Sequence, residues 1–127
     1  GLNKNNEFIY GNNIYKEVIK NLNNFNFIFS NELNVEYEKM ADIYTQCFIG
    51  LRLTSNDGNA NSVLEMLELG LPVIHNGEYN TIKWKNKYDI IKIILETFSN
   101  GKTIAFPTLS TSELIILLYI PVLCCFV

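Results

Sequence analysis

Residues 50–78, GLRLTSNDGNANSVLEMLELGLPVIHNGE, constrain the fold more than any other part of the chain. An apolar strand pattern ends at Leu53, a loop of small and amide residues follows, and apolar residues then recur at a helical spacing. Gly70 and Pro72 end this helix and introduce another short apolar run. A strand, a helix and a second strand in this order predict a βαβ unit, whose two strands are parallel.

The rest of the chain alternates short apolar runs with longer helical patterns, which is typical of an α/β protein. Besides the helix that ends at Gly70, the pattern predicts strands at residues 7–10, 25–29, 48–53 and 72–74, and helices at 14–22, 35–47 and 89–98. We therefore expect a Rossmann-like open parallel sheet with helices on both faces.

The last predicted helix has its own start and stop signals. Asp89 is the predicted N-cap, and Asn100 followed by Gly101 is the predicted stop. The side of this helix that is expected to face the core carries Ile91, Ile94 and Leu95.

Size and charge limit the classes of function that are open to the chain. With 127 residues, of which 48% are hydrophobic, it is long enough for one domain with a core and too short for two. A net charge of -3 and a pI near 5.1 provide no positive surface for nucleic acid or for an anionic membrane. We expect no nucleic-acid partner.

An apolar tail of uncertain structure at residues 107–127 follows the predicted domain at residues 1–106. Its apolar run from Leu114 is shorter than the roughly 20 residues of a typical spanning helix, and Pro121 interrupts it. The alternatives are a final strand or helix that packs on the core, or the remnant of a longer domain. An exposed tail would be an association surface, so membrane association is at most a weak expectation.

The three cysteines indicate a reducing compartment. Cys47, Cys124 and Cys125 have no metal-ligand spacing, and an odd number with two adjacent residues is a poor disulfide framework. No signal peptide is visible at the N-terminus, so the predicted location is cytoplasmic. We predict neither a metal site nor a cofactor.

A candidate binding site lies inside the βαβ unit. Asp57 in the loop and Glu65 on the helix are eight residues apart, and a turn of small and amide residues separates them. The backbone N–H groups of this turn can point at an anion from a helix N-terminus. Carboxylates can accept hydrogen bonds from two adjacent hydroxyls of a sugar or ribose. This arrangement predicts a nucleotide-diphosphate site, and the residues of the turn are Gly58, Asn59, Ala60, Asn61 and Ser62.

Two further residues follow strands at the same predicted edge of the sheet. Alternation places Arg52, with Phe48, Gly50 and Thr54, on one face of its strand, two residues from the phosphate loop. Arg52 is a candidate cationic partner for phosphate, and pairing with an acid on a neighbouring helix is the alternative. His75 is the only histidine, and a general acid/base role, a phosphate contact and a structural role are all open for it.

These residues carry a resemblance to a known family. The pattern looks like the C-terminal, donor-binding half of GT-B glycosyltransferases of the group 1 type, over about residues 7–77. In that family seven residues separate two glutamates, and the second glutamate is the first residue of the motif Glu-Ala-Met-Ala-x-Gly-x-Pro-Val. Here Asp57 stands in the place of the first glutamate. The matching features are Gly11 before a helix, Phe27-Ile28-Phe29, Ala41-Asp42-Ile43-Tyr44, Asp57-Gly58, Leu64-Glu65 and Gly70-Leu71-Pro72-Val73.

The resemblance implies a retaining transfer of sugar from a nucleotide diphosphate sugar to an unknown acceptor. It implies that Glu65 binds the ribose hydroxyls, that Asp57 contacts the sugar and has the catalytic role, and that the amides of residues 58–62 hold the diphosphate. The basic pair that the family uses for the diphosphate is not found, and Arg52, the only arginine, is the substitute. The acceptor-binding N-terminal half is missing, so the chain alone is expected to be an incomplete half of a GT-B enzyme.

Two other classes of function remain open from the sequence. One is a non-catalytic nucleotide- or sugar-binding module, or a truncated relic that lacks the acceptor half. The other is a doubly wound interaction domain of the response-regulator kind, which would bind no nucleotide. The missing acidic cluster after the first predicted strand disfavours the second class.

Overall fold

A computed structural model describes residues 12–54, 60–104 and 115–119 of the chain. The predicted strand at residues 7–10 lies outside these residues. The helices are α1 (Asn12–Asn21), α2 (Met40–Tyr44), α3 (Asn61–Glu68) and α4 (Lys87–Ile104). The strands are β1 (Asn26–Phe29), β2 (Cys47–Leu51), β3 (Val73–Ile74) and β4 (Ile115–Leu118), and two 3₁₀ turns span Ser30–Glu32 and Tyr37–Lys39.

Within the described residues the strands form one four-stranded sheet in the order β1-β4-β2-β3. Every pair is parallel, with Asn26 opposite Ile115, Cys47 opposite Ile115 and Gly50 opposite Val73. An isolated parallel bridge from Ile74 to Ile82 extends the β3 edge. The predicted α/β class with an open parallel sheet is confirmed.

The apolar tail supplies a central strand of this sheet. β4 lies between β1 and β2, so the final-strand alternative describes residues 115–118. Ile116, Leu117 and Leu118 are completely buried. A strand that is covered on both faces reads as a continuous apolar run, which explains the composition of this segment.

Helices cover both faces of the sheet, as predicted. On one face α1 and α4 pack through Tyr15, Val18, Ile90 and Ile94 against alternate strand residues that include Ile49, Leu51, Ile116 and Leu118. On the other face α2 and α3 pack through Tyr44, Val63 and Met66 against Val73 and Leu117. The position of Leu117 between Ile116 and Leu118 shows the two-residue period of a strand between two helical layers.

A bulge in β2 changes one predicted orientation. Cys47 is opposite Ile115 and Ile49 is opposite Ile116, so Phe48 is an extra residue in this ladder. Phe48 therefore packs in the same core cluster as Ile49 and stacks on Phe25, with 5.9 Å between the ring centroids. The predicted placement of Phe48 on the face of Arg52 is wrong, because a bulge interrupts strict alternation.

The end of α3 follows the sequence prediction closely. Gly70 has a φ of 81°, a left-handed conformation that glycine adopts without steric cost. The N–H of Gly70 donates to the carbonyl of Leu67 at 3.0 Å, and the N–H of Leu71 donates to that of Met66 at 2.9 Å. These two bonds form a Schellman motif, which satisfies the last carbonyls of the helix before β3 begins.

The ends of α4 differ from the prediction. Asn86, not Asp89, is the N-cap, because its Oδ1 accepts from the N–H groups of Tyr88 at 2.9 Å and Asp89 at 3.1 Å. Asp89 instead accepts from the N–H of Lys85 at 2.9 Å. The predicted stop at residues 100–101 is also wrong, since the helix continues to Ile104. One glycine costs a helix only about 1 kcal/mol and does not by itself end it.

Two further predictions about helices are corrected. Of the residues predicted to face the core from α4, Ile94 is buried and Ile91 packs against the core while partly buried, whereas Leu95 is 44% exposed. Ile90 is buried as well. The predicted helix at residues 35–47 is a 3₁₀ turn followed by the five residues of α2. It is shorter because the chain must reverse at residues 45–46 and enter β2 at Cys47.

Candidate functional site

Arg52 lies where three elements meet at the carboxyl edge of the sheet. It follows β2 directly, and its Nη1 donates to Oγ of Ser62 in the first turn of α3 at 3.1 Å. Its guanidinium carbon lies 5.1 Å from the ring centroid of Tyr119, which directly follows β4. Arg52 therefore contacts both the first turn of the helix that follows its strand and the residue that follows the neighbouring strand β4.

Gly50 allows α3 to approach β2 at this point. A Cβ on Gly50 would lie 2.7 Å from Sδ of Met66, which is completely buried on α3. Gly50 and Arg52 therefore face α3 from the same side of β2, as strand alternation requires. The close contact between strand and helix places Ser62 within reach of the Arg52 guanidinium.

The N-terminus of α3 has a positive electrostatic character. Ala60 is extended, with φ -80° and ψ 131°, and its carbonyl accepts from the N–H groups of Val63 at 3.1 Å and Leu64 at 3.3 Å. The first turn of α3 carries no acidic residue. A cation such as Arg52 beside a helix N-terminus adds to the positive end of the helix dipole, so this position favours an anion.

The predicted phosphate loop is described only in part. Asp57, Gly58 and Asn59 lie outside the described residues. Ala60 is half-buried, Asn61 is exposed, and Ser62 is buried with 7% of its surface exposed. Of the predicted site residues, Arg52 meets Ser62 through its side chain and His75 through its backbone carbonyl.

Glu65 lies one turn further along α3. Residues three apart on a helix are neighbours on its surface, so Glu65 and Ser62 occupy adjacent positions. One carboxylate oxygen of Glu65, Oε1, accepts a hydrogen bond from the hydroxyl of Tyr37. A groove of about 260 Å³ opens here, and it is lined by Tyr37, Glu38, Ala41, Tyr44, Glu65, Glu68 and Leu69.

The pKa values of both tyrosines of this groove, Tyr37 and Tyr44, are raised. The hydrogen bond to Glu65 raises the pKa of Tyr37 above its usual value, and the nearby Glu65 and Tyr119 contribute in the same direction. Burial raises the pKa of Tyr44, to which Tyr119 and Glu65 add, while Arg52 acts in the opposite direction. Both phenols therefore remain protonated hydrogen-bond donors at neutral pH.

His75 is inside the protein, with 1% of its surface exposed. Its Nδ1 lies 2.9 Å from the carbonyl oxygen of Arg52, and because a carbonyl only accepts, Nδ1 carries the proton. The backbone N–H of His75 donates to the carbonyl of Ile82 at 3.0 Å, and the carbonyl of His75 accepts from Oγ1 of Thr81 at 2.5 Å. His75 thus ties the end of β2 to the segment that follows β3.

The segment after β3 is held by its own side chains. Asn76 donates from Nδ2 to the carbonyl of Trp84 at 2.8 Å and accepts at Oδ1 from the Trp84 N–H at 2.9 Å. Nζ of Lys83 donates to the carbonyls of Gly77 at 2.7 Å and Tyr79 at 2.9 Å. These bonds keep the segment folded against the edge of the sheet.

Tyr15 on α1 contacts the backbone at this edge of the sheet, and the sequence did not indicate this role. Its completely buried hydroxyl lies 2.9 Å from the carbonyl of Leu51 and 3.0 Å from that of Tyr119, and it accepts from the N–H of Leu53 at 3.1 Å. Tyr15 therefore joins α1 to the ends of β2 and β4. Its spacing of three and seven residues from Val18 and Leu22 is the signal that could have placed it on the buried face of α1.

A larger cavity, of about 640 Å³, lies at the opposite, amino edge of the sheet. It is lined by Tyr44, Thr45, Cys47, Phe48, Leu69, Gly70, Leu71, Pro72, Ile82, Thr97 and Asn100. Burial raises the pKa of the Cys47 thiol from 9.0 to about 12, so the thiol stays protonated and unreactive at neutral pH.

The described structure thus defines an α/β protein with an open parallel sheet, in which Arg52 lies at the N-terminus of α3 and a groove that contains Glu65 lies one turn further along the same helix. Comparisons with protein-family models, with curated proteins and with solved structures find no match for this chain. In the described residues, no helix has the length and apolar character needed to cross a membrane. Among the same residues, no group of three or more His, Cys, Asp or Glu side chains is placed to hold a metal ion.

Proposed function

We propose that this chain is the donor-binding domain of a GT-B glycosyltransferase and binds a nucleotide diphosphate sugar. The observation that carries the proposal is the position of Arg52 against Ser62 at the N-terminus of α3, with Glu65 one turn further along the same helix. A ligand that carries negative charge at one end and hydroxyls at the other fits this order of groups.

Each end of the ligand has a physical partner in this proposal. The diphosphate lies at Arg52 and the first turn of α3, where helix amides and a guanidinium stabilise the charge that builds up on a leaving nucleoside diphosphate. The ribose hydroxyls donate to the Glu65 carboxylate. The role of Asp57 at the transferred sugar rests on the resemblance to the group 1 family, as does retention at the anomeric carbon.

His75 acts through the backbone in this proposal. Its Nδ1 bond to the Arg52 carbonyl and its location under the surface suit a residue that holds the end of β2 in place for the ligand. The acceptor and a second, acceptor-binding domain are further parts of the proposal. We also propose a reducing, cytoplasmic compartment, because the spacing of the cysteines suits neither a disulfide framework nor a metal site.

Calorimetry with uridine, guanosine and adenosine diphosphates and their diphosphate sugars tests the proposal. We expect the protein to bind the ligands of one base, with dissociation constants in the micromolar to millimolar range. Glu65→Ala should weaken every ligand with that base, whereas Asp57→Asn should weaken only the ligands that carry a sugar. Glu96→Ala is the matched control, because Glu96 is an exposed glutamate on α4, on the opposite face of the sheet.

The outcomes separate the classes of function. If the wild-type protein binds none of these ligands, the proposed function is wrong and an interaction domain is favoured. Binding that is unaffected by Glu65→Ala and Asp57→Asn would contradict the assigned roles. If the protein binds as expected but an added acceptor-binding domain produces no sugar transfer, the chain is a non-catalytic binding module.

A further inference from the structure

Tyr37 combines high exposure with a specific polar contact. It is 70% exposed in the 3₁₀ turn Tyr37–Lys39, yet its hydroxyl donates to Oε1 of Glu65, 28 residues away on α3. Burial of the ring therefore does not explain the position of this side chain. The contact that orders Tyr37 is the hydrogen bond to the carboxylate that the proposed function assigns to ribose.

The hydrogen bond restricts Glu65 without using up its capacity to bind. A free glutamate side chain loses up to about 2 kcal/mol of rotamer entropy when it is fixed. A carboxylate offers roughly four lone-pair sites, and Tyr37 occupies one of them. The remaining sites can accept from both hydroxyls of a cis-diol, and the carboxylate is already ordered when the ligand arrives.

The charges around the groove determine which end of a ligand enters it. Glu38 and Glu68 line the groove together with Glu65, whereas Arg52 lies one helical turn away against Ser62. Carboxylates disfavour a phosphate in the groove and accept hydrogen bonds from neutral hydroxyls. The ligand therefore has one favourable direction, with its phosphates at Arg52 and its ribose at Glu65.

We infer that Tyr37 is a positioning residue that aligns the Glu65 carboxylate for a ribose cis-diol, so that the site prefers ribonucleotides over 2′-deoxyribonucleotides. This inference rests on the proposed function and adds a specificity that the sequence did not indicate. It assigns the effect to the hydroxyl of Tyr37, since the hydroxyl is the group that contacts Glu65.

The test compares ADP, UDP and GDP with their 2′-deoxy analogues and with inorganic pyrophosphate, by calorimetry on the full chain. The wild-type protein should prefer the ribonucleotide of its base by about tenfold, the effect of one hydrogen bond to a charged group. Tyr37→Phe should reduce this preference to about threefold or less and leave pyrophosphate binding unchanged. Tyr88→Phe is the matched control, because Tyr88 is also 70% exposed but lies on α4.

Glu65→Gln is the second variant and should lower the same ratio. The inference alone is overturned if the wild-type protein binds nucleotide and Tyr37→Phe keeps the full preference for ribose. It is also overturned if Tyr37→Phe weakens pyrophosphate as much as ADP, because the role of Tyr37 would then be general support of the fold. Absence of binding to every probe by the wild-type protein would overturn the proposed function and the inference together.

Discussion

The hydroxyl of Tyr15 accepts a hydrogen bond from the backbone N–H of Leu53 at 3.1 Å, and both groups are buried. The same hydroxyl is within hydrogen-bonding distance of the carbonyls of Leu51 and Tyr119. One side chain of α1 thus satisfies backbone groups that β2 and β4 leave at the point where the two strands end.

Tyr15→Phe should therefore destabilise the protein more than the loss of one ordinary hydrogen bond. The substitution leaves a buried N–H without its acceptor, which costs about 1–3 kcal/mol of the free energy of unfolding. Urea denaturation followed by circular dichroism measures the difference. Tyr88→Phe, at an exposed position, should stay within about 0.5 kcal/mol of the wild type, and equal effects of the two variants would contradict the role of Tyr15.

Gly50→Ala should also lower the free energy of unfolding, by about 1–3 kcal/mol, since the new Cβ would lie 2.7 Å from Sδ of Met66. The reason is steric overlap between β2 and α3, so the effect depends on the side chain at position 66. In a double-mutant cycle with Met66→Ala, the two changes should be clearly less destabilising together than the sum of the single changes. Additive effects would indicate that Gly50 is needed for another reason.

The stability of the protein should fall between pH 9 and pH 12 in part because of Cys47. Burial raises the pKa of this thiol from 9.0 to about 12, so the folded state keeps the proton that the unfolded chain loses. Its contribution is complete below pH 9 and is lost as the pH rises towards 12. Unfolding curves of Cys47→Ala should show a smaller decrease over this range than the wild type, whereas parallel curves would exclude a contribution from the thiol.

Arg52→Gln should weaken pyrophosphate and nucleotide diphosphates by about tenfold, because it removes the positive charge beside the N-terminus of α3. The affinity of the variant should depend less on salt than that of the wild type. Calorimetry at two salt concentrations measures both effects. Lys92→Gln on the exposed side of α4 is the control, and an equal loss in that variant would point to a general effect of net charge.

The sequence correctly predicted the features that depend on residues close to one another in the chain. The Gly70 and Pro72 signal located the end of α3, and the observed Schellman bonds connect residues 66–71 only. The apolar spacing in α1 and α3, and the alternation of strands with helices, were sufficient for the α/β class and the parallel sheet. Asn86 was missed because Asn86 and Asp89 are both suitable capping residues, and only the hydrogen bonds distinguish them.

The chain by itself determined the succession of strands and helices, the helix end at Gly70 and the presence of Arg52 and Glu65 on either side of a small-residue turn. Tertiary structure alone decided that residues 115–118 pair between β1 and β2, that Phe48 leaves its expected face at a bulge and that Tyr37 meets Glu65. The physical reason is the distance along the chain over which the deciding interactions act. Helix periods and caps depend on neighbours within one turn, whereas strand order and these side-chain contacts depend on segments that only the folded sheet brings together.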